Sequence, residues 1–337
     1  MGFAEHNPVL SLTESEKGLF GAEATIRFRD PNQTIYLIGG TVGRAKMTRY
    51  PVFPGIDLIY NDIHDANYQL NRTPSGDLIE INHCQEGRME CQYQDSFFYL
   101  TPGDLSISRR DIAPHRSSFP TGHYHGISVL IDPKQAPHCL SCLLEDVNVR
   151  PSAIADHLCC GQRCFIARSS SRVKHVFSEL YSVPEHIRKG YFKVKVLELL
   201  LFLSVLLAAP EQVQQRCYSN TQVALAKDIG QYLSAHMDSK ITMQDLAEQF
   251  DASPTQIKRC FHGVYGMSPA AYLRTRKMRG AAALLRNSDR TVLDIAGQFG
   301  YDNASKFAKA FRDVIGVSPN EYRNGVEQDS CAPQGAP

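Results

Sequence analysis

The stretch DLAEQFDASPTQIKRCFHGVYGMSPAAY, Asp245 to Tyr272, returns as DIAGQFGYDNASKFAKAFRDVIGVSPNEY, Asp294 to Tyr322. DLAEQF and DIAGQF lie 49 residues apart, GMSPAAY and GVSPNEY 50, so one residue is inserted between the anchors of the second copy. In the first copy Thr242 is placed to cap a short helix whose Met243, Leu246, Ala247 and Phe250 recur at helical spacing. Asp251 and Ala252 make a tight turn, and Ser253 before Pro254 is a strong start for a second helix. Ile257, Cys260 and Phe261 form the apolar face of that helix, with Thr255, Lys258 and Arg259 largely opposite. A short helix, a tight turn and a second helix with a basic outer face predict a helix-turn-helix.

The second copy follows the same logic. Ile295, Ala296 and Phe299 pack inward, Gly300 takes the turn where positive φ is cheapest, and Asp302 is placed to cap the next helix. Phe307, Ala310 and Phe311 face inward; Ala304, Ser305, Lys306 and Lys309 are left outward. Pro269 to Arg286 reads as one continuous helix joining the copies, with Arg274, Arg276, Lys277 and Arg279 near its start. Such a helix fixes the spacing of two units that enter successive major-groove segments about 34 Å apart.

By its two copies, its joining helix and the closing GVSPNEYR segment, 222–324 resembles the DNA-binding domain of the AraC/XylS family of bacterial transcriptional regulators. The resemblance covers about a third of the chain. It implies double-stranded DNA as partner, read by Thr255, Lys258 and Arg259 in the first unit and by Ala304, Ser305, Lys306 and Lys309 in the second. Ser253, Arg274, Arg276 and Arg279 are expected at the DNA backbone. Asp251 departs from the usual turn glycine, and Ala304 offers no hydrogen bond. The first unit is therefore expected to specify the DNA and the second mainly to hold it.

Charge is distributed accordingly. Residues 221–324 carry 14 Lys and Arg against 10 Asp and Glu, a net of +4, whereas the rest carries 22 against 25, a net of −3. The basic excess sits where phosphate must be neutralised. The opening MGFAEHNPVL lacks a signal-peptide pattern, and Val194 to Ala209 is too short and too charged for a membrane span, so a cytoplasmic protein without membrane contact is expected. Ten cysteines without an even framework are then reduced thiols.

The fold class is multidomain α+β. Residues 1–135 alternate in short runs (ATIRF, TIYLIG, DLIYNDIH, LIEINHC, FFYLTPGDLSIS, YHGISVLID), with turns at Pro31–Gln33, Pro51–Gly55, Pro74–Asp77 and Pro102–Asp104. Such punctuation predicts a β-sandwich or small barrel. The Pro-Gly-Asp turn entering a strand resembles the cupin or jelly-roll sensor domains of the same family, which implies a cupin/jelly-roll-like β-barrel binding a small-molecule effector. Through INHCQEGR and YFKVKVLELLLFLS this half resembles a subgroup with a siderophore-responsive member, and only the architecture is carried over.

His123 and His125 flank Tyr124 on a predicted strand and point to one face, as candidate effector ligands. No carboxylate follows until Asp132, so the cupin metal set is broken, and neither metal nor cofactor is expected. Ser171 to Ser182 and Ile187 to Ala208 show helical periodicity, giving a helical extension over 136–209. Tyr191, Val194, Leu197, Leu201 and Leu207 form an apolar stripe broadened by Leu200 and Leu203, predicted to pack on the barrel or on a second subunit in a homodimer. A polar linker at 210–221 follows, and the tail 325–337 is expected to be disordered.

The leading expectation is an effector-controlled, sequence-specific transcriptional regulator, an activator with RNA polymerase as a further partner, rather than an enzyme. The alternative is a metal- or redox-sensing regulator using His138, Cys139, Cys142, His157, Cys159, Cys160 and Cys164, where CxxC is a zinc-like spacing. A cupin enzyme fused to a DNA-binding domain is a third reading, weakened by the incomplete metal set.

Overall fold

The computed structural model describes residues 11–39, 44–65, 68–72, 78–93, 96–109, 115–137, 150–159, 164–169, 171–206 and 217–325. The chain divides into two compact units, Met1–Cys217 and Tyr218–Pro337. The first opens with the helix Glu14–Phe20 (α1). Eleven strands follow: Thr25–Arg29 (β1), Thr34–Ile38 (β2), Arg44–Phe53 (β3), Ile56–His64 (β4), Gln69–Arg72 (β5), Ile79–Gly87 (β6), Met89–Tyr93 (β7), Ser96–Leu100 (β8), Leu105–Arg109 (β9), His115–Ser118 (β10) and Tyr124–Ile131 (β11). Pro151–Leu158 (α2), Cys164–Ala167 (β12), Ser171–Ser178 (α3) and Arg188–Leu206 (α4) come next among the described residues, with short 3-10 turns at Glu179–Ser182 and Glu185–Ile187 between the last two.

The strands form two antiparallel sheets. The larger runs β1-β2-β3-β4-β11-β6-β9-β12, and in the smaller β8-β7-β10-β5 lie side by side. Both are open, with β1 and β12 at the edges of the larger, so the expected closed barrel is corrected to stacked open sheets. The larger sheet is covered on both faces. Tyr36, Met47, Ile59, Ile63 and Tyr124 pack with Leu70, Cys91, Leu100 and Phe119 of the smaller sheet side. Leu58, Ile81, Ile107, Ile127 and Val129 pack with Ile154 of α2, Phe177 of α3 and Val196, Leu199 and Leu203 of α4. Burial on both faces explains why β6 is buried without alternation from Ile79 to Cys84, polar Glu80, Asn82 and His83 included, and β11 from Gly126 to Ile131.

Three further expectations change. The turn predicted at Pro51–Gly55 narrows to Pro54–Gly55, because β3 runs on through Phe53. The helical stretch 136–209 contributes a strand, β12, which pairs antiparallel with β9. The buried face of α4 is Phe192, Val196, Leu199, Leu200 and Leu203, rotated from the predicted stripe; Val194 is 62% exposed, Tyr191, Leu197 and Leu201 are half-buried, and Leu207 lies outside the described residues. The helix also buries Lys195, whose Nζ lies 2.6 Å from Glu198 and 3.3 Å from Glu179.

The Pro102–Asp104 turn has a mechanical role. Gly103 takes φ 88°, and the buried Asp104 carboxylate accepts from the Thr101 N–H and hydroxyl at 3.0 and 2.7 Å. It also accepts from Arg168 at 2.6 Å and from the Ser169 N–H at 3.1 Å, tying the turn to the end of β12.

Apart from its first residues, the regular structure of the second unit among the described residues is helix: Asn220–Ala235 (α5), Met243–Gln249 (α6), Pro254–Tyr265 (α7), Pro269–Asn287 (α8), Val292–Gln298 (α9), Ala304–Ile315 (α10) and Pro319–Arg323 (α11). The predicted linker 210–221 gives way at its end to α5, capped by Ser219; residues 210–216 and 326–337 lie outside the described residues. Among the described residues no helix is long and apolar enough to cross a membrane.

Candidate nucleic-acid interface

Each helix of the tandem unit begins where its sequence dictates. Thr242 and Thr291 cap α6 and α9, each in a reciprocal box with an aspartate three residues on, Asp245 and Asp294. Ser-Pro pairs start α7, α8 and α11 at Ser253, Ser268 and Ser318. For α10 the cap is Asn303, not Asp302: its Oδ1 accepts from the N–H groups of Ser305 at 2.8 Å and Lys306 at 3.1 Å. Both α7 and α10 end on a left-handed glycine, Gly266 and Gly316.

The two turns reach the left-handed region differently. Asp251 adopts φ 45°, the one positive-φ residue other than glycine among those described. Gly300 adopts φ 75°, and a Cβ there would sit 2.3 Å from the Asp238 carbonyl oxygen. The second turn therefore requires glycine for space as well as for backbone freedom.

Behind the turns the copies share one packing device. The tyrosine of each GxSPxxY segment meets a buried phenylalanine of the second helix edge-on: Tyr272 on Phe261 at 5.4 Å and 81°, Tyr322 on Phe311 at 5.6 Å and 74°. Ile257, Cys260 and Phe261 are fully buried on α7, Phe307 and Phe311 on α10. This fixes which faces of α7 and α10 turn outward.

The outward faces carry the predicted residues. Thr255, Lys258 and Arg259 are all exposed on α7, and Ala304, Ser305, Lys306 and Lys309 on α10. Offset by 50, Thr255 corresponds to Ser305, Arg259 to Lys309 and His262 to Arg312. His262 and Arg312, one turn further along, are exposed too and were not singled out in the sequence; the i, i+4, i+7 spacing from Thr255 and Ser305 was the available signal. Gln256, matching Lys306, is likewise exposed on α7.

The basic cluster at the start of α8 is split. Arg274 is exposed and Arg276 half-buried, and Arg279 is solvent-exposed, as is Ser253. Lys277 is buried, its Nζ donating to the Ser239 carbonyl at 3.3 Å, and burial pulls its pKa below the ordinary lysine value despite nearby Asp238. It secures the loop before α6. The 19 residues of α8 span about 28 Å, somewhat under one turn of B-form DNA.

His123 and His125 share a face, as predicted, but it is the helix-covered face of the larger sheet rather than the side turned to the smaller sheet. There they meet a third histidine, His64. The centroid separations are 5.0 Å for His64–His123, 5.2 Å for His64–His125 and 4.7 Å for His123–His125. Asp62 and Glu86 stand beside them. Of the Cys/His cluster, His138, Cys139, Cys142 and Cys160 lie outside the described residues. Cys159 donates to the Ile107 carbonyl at 3.6 Å, Cys164 is buried in the sheet, and His157 is exposed.

A family model described as a helix-turn-helix domain matches residues 246–325. The uncharacterized HTH-type transcriptional regulator YdiP of Escherichia coli strain K12 is 37% identical over 99 residues, which are 29% of this chain and 33% of that protein. The HTH-type transcriptional regulator ExsA of Pseudomonas aeruginosa is 32% identical over 100 residues, 30% of this chain and 35% of that one. Among solved structures, the C-terminal domain of AraT, a response regulator from Geobacillus stearothermophilus, is 28% identical and has a TM-score of 0.30. The likeness covers 33% of this chain and 93% of that one. The chain thus spans about a third of the length of these two curated relatives.

Proposed function

Because its C-terminal third makes this chain a member of the AraC/XylS family of transcriptional regulators, we propose that it is a sequence-specific DNA-binding regulator rather than an enzyme. Two second helices, α7 and α10, set on matching scaffolds and joined by one rigid helix with polar and basic residues outward, carry the reading. Each enters a major-groove segment, with Thr255, Lys258 and Arg259 reading base edges. Ser305, Lys306 and Lys309 hold the second segment mainly through phosphates, since Ala304 has nothing to donate. Ser253, Arg274, Arg276 and Arg279 contribute to the backbone grip, in a cytoplasmic protein.

Control by a small-molecule effector belongs to the same reading. A cavity of about 430 Å³ opens beside α1 and β3, within the size range of ligand sites. Leu19, Val52, Phe53 and Leu130 give it apolar walls, and Arg49, paired with Asp57 at 2.7 Å, gives it a charged edge. The half-exposed Tyr191, Leu197 and Leu201 and the exposed Val194 offer α4 a second copy to pack against in a homodimer. Activation through RNA polymerase completes the proposal.

The test is a gel shift with the full chain and with a fragment starting at Tyr218, which keeps the Ser219 cap of α5. Duplex binding that weakens steeply with salt and prefers one sequence over random competitor is expected. Binding by neither protein at low salt would refute the assignment.

A further inference from the structure

We propose that His64, His123 and His125 form a binding site for a first-row divalent transition-metal ion, zinc in the first instance. The site rests on sheet register and is independent of the DNA-binding reading.

Strand geometry assembles it. Side chains two residues apart on a strand share a face, so His123 and His125 stand together at the start of β11, as do Asp62 and His64 at the end of β4. The antiparallel register sets His125 opposite Asp62 and Tyr124 opposite Ile63, which brings His64 beside His123. On the other side of β11, His125 pairs with Glu86 of β6. Gly87, at φ 80°, permits this approach, since a Cβ there would lie 1.9 Å from the His123 carbonyl oxygen. Three neighbouring strands thus deliver three imidazoles and two carboxylates to one patch.

The spacing suits a metal. His64 Nδ1 and His123 Nδ1 are 3.3 Å apart. Two ligands bound 2.0–2.1 Å from a tetrahedral zinc are separated by about 3.3–3.4 Å. One ligand atom from each of the three histidines can be chosen so that all lie within 4.8 Å of one another, and among the described residues no other such group occurs. The rings stand at a rim where they are 21–52% exposed.

The nitrogens pointing away from the shared point are backed by carboxylates. His64 Nε2 lies 2.8 Å from Asp62 Oδ1, and His123 Nε2 lies 3.2 Å from Glu86 Oε2. A carboxylate on the outer nitrogen fixes the tautomer and ring orientation of a ligating histidine and raises its basicity. His125 Nε2 lies 3.0 Å from the same Asp62 Oδ1. Imidazole donors select zinc, cobalt, nickel or copper over magnesium and calcium, which prefer oxygen. Three histidines fill three tetrahedral positions and leave the fourth to water or an incoming ligand.

The experiment uses the full chain, purified without a polyhistidine tag and stripped with chelator. Zinc chloride is titrated calorimetrically, and cobalt chloride is followed through its visible d–d absorption. One zinc per chain, tetrahedral cobalt bands and a rise in melting temperature with zinc are expected. His64→Ala and His123→Ala should each lower affinity at least tenfold and abolish the cobalt bands. Asp62→Asn should lower affinity tenfold to a hundredfold while keeping altered bands. Cys159→Ser and Cys217→Ser should change nothing. Sub-stoichiometric zinc in the parent, or full affinity in both histidine variants, would overturn the site; loss of binding only in the cysteine variants would move it to thiols and overturn it equally.

Discussion

Lys258 and Arg259 lie on the outward face of a helix whose inner face is locked by Ile257, Cys260 and Phe261. Replacing either by alanine is expected to cost roughly 1–3 kcal/mol of operator affinity and to relax preference at one base position. Lys306→Ala and Lys309→Ala should instead weaken binding to all sequences alike and each lower the slope of log K on log salt by about 1. Competition gel shifts across a salt series separate the two patterns. A different residue contributes to the acid sensitivity of the first unit. His83 is buried, stacked on Phe177 at 4.2 Å with its Nδ1 3.0 Å from the Tyr181 hydroxyl, and burial lowers its pKa to about 4. The unfolded ring titrates near 6.5 and so binds the proton first. Stability from the neutral ring is therefore full above about pH 6.5 and declines as the pH falls towards about 4. Melting temperatures measured between pH 7 and 5 should fall, and His83→Phe should flatten that stretch of the curve; an unchanged slope would refute the assignment. His83 sat in plain view within INHCQEGR, but nothing local marks a histidine as buried, because Phe177 and Tyr181 approach it from almost a hundred residues away.

Helices announce their own ends, and that decided what could be read in advance. Thr242, Ser253, the Asp251 turn, Gly300 and the start of α8 are all local signals, with hydrogen bonds spanning three or four residues. Asn303 took the cap from Asp302 because adjacent Asx residues are chemically alike and only the chain path chooses between them. In the first unit the runs were legible as strands, but their partners were not. β5 and β10 are short and polar, and sheet order is set by contacts no period of two records. The same limit hid His64 and Asp62 from His123 and His125, which meet them only through the β4–β11 register. Two glycines in the second copy separate backbone need from habit. Gly300→Ala meets the Asp238 carbonyl and a left-handed φ, and is expected to cost roughly 1–3 kcal/mol or more. Gly297→Ala lies inside α9 with nothing within 4 Å of the added Cβ, and should stabilise by about 0.5–1 kcal/mol. Chemical denaturation of the fragment from Tyr218 measures both, and equal effects from the two would contradict the packing described for the turn.

Across the whole chain the two units differ in how far apart in sequence their cores are gathered. Helices α5 to α11 pack chiefly on helices no more than three places away along the chain, α5 on α7 above all, whereas the larger sheet of the first unit sets β11 between β4 and β6 and draws its last strand from residues 164–167. Among the described residues, its helix-side core is closed by α2, α3, Leu180 and α4, ending at Leu203. A fragment 1–135 should therefore be insoluble or expose dye-binding apolar surface, while 1–217 should melt cooperatively; a cooperative melt of the shorter piece would overturn this account. The same arrangement has a consequence during synthesis. At roughly 5–20 residues per second, about 4 to 15 seconds separate translation of the last central strand, Tyr124–Ile131, from translation of Leu203. Throughout that interval the nascent chain carries Leu58, Ile81, Ile107 and Val129 on an uncovered surface. Cellular factors that hold apolar nascent segments will engage this half of the protein on the ribosome, and will find much less to engage in the half that follows.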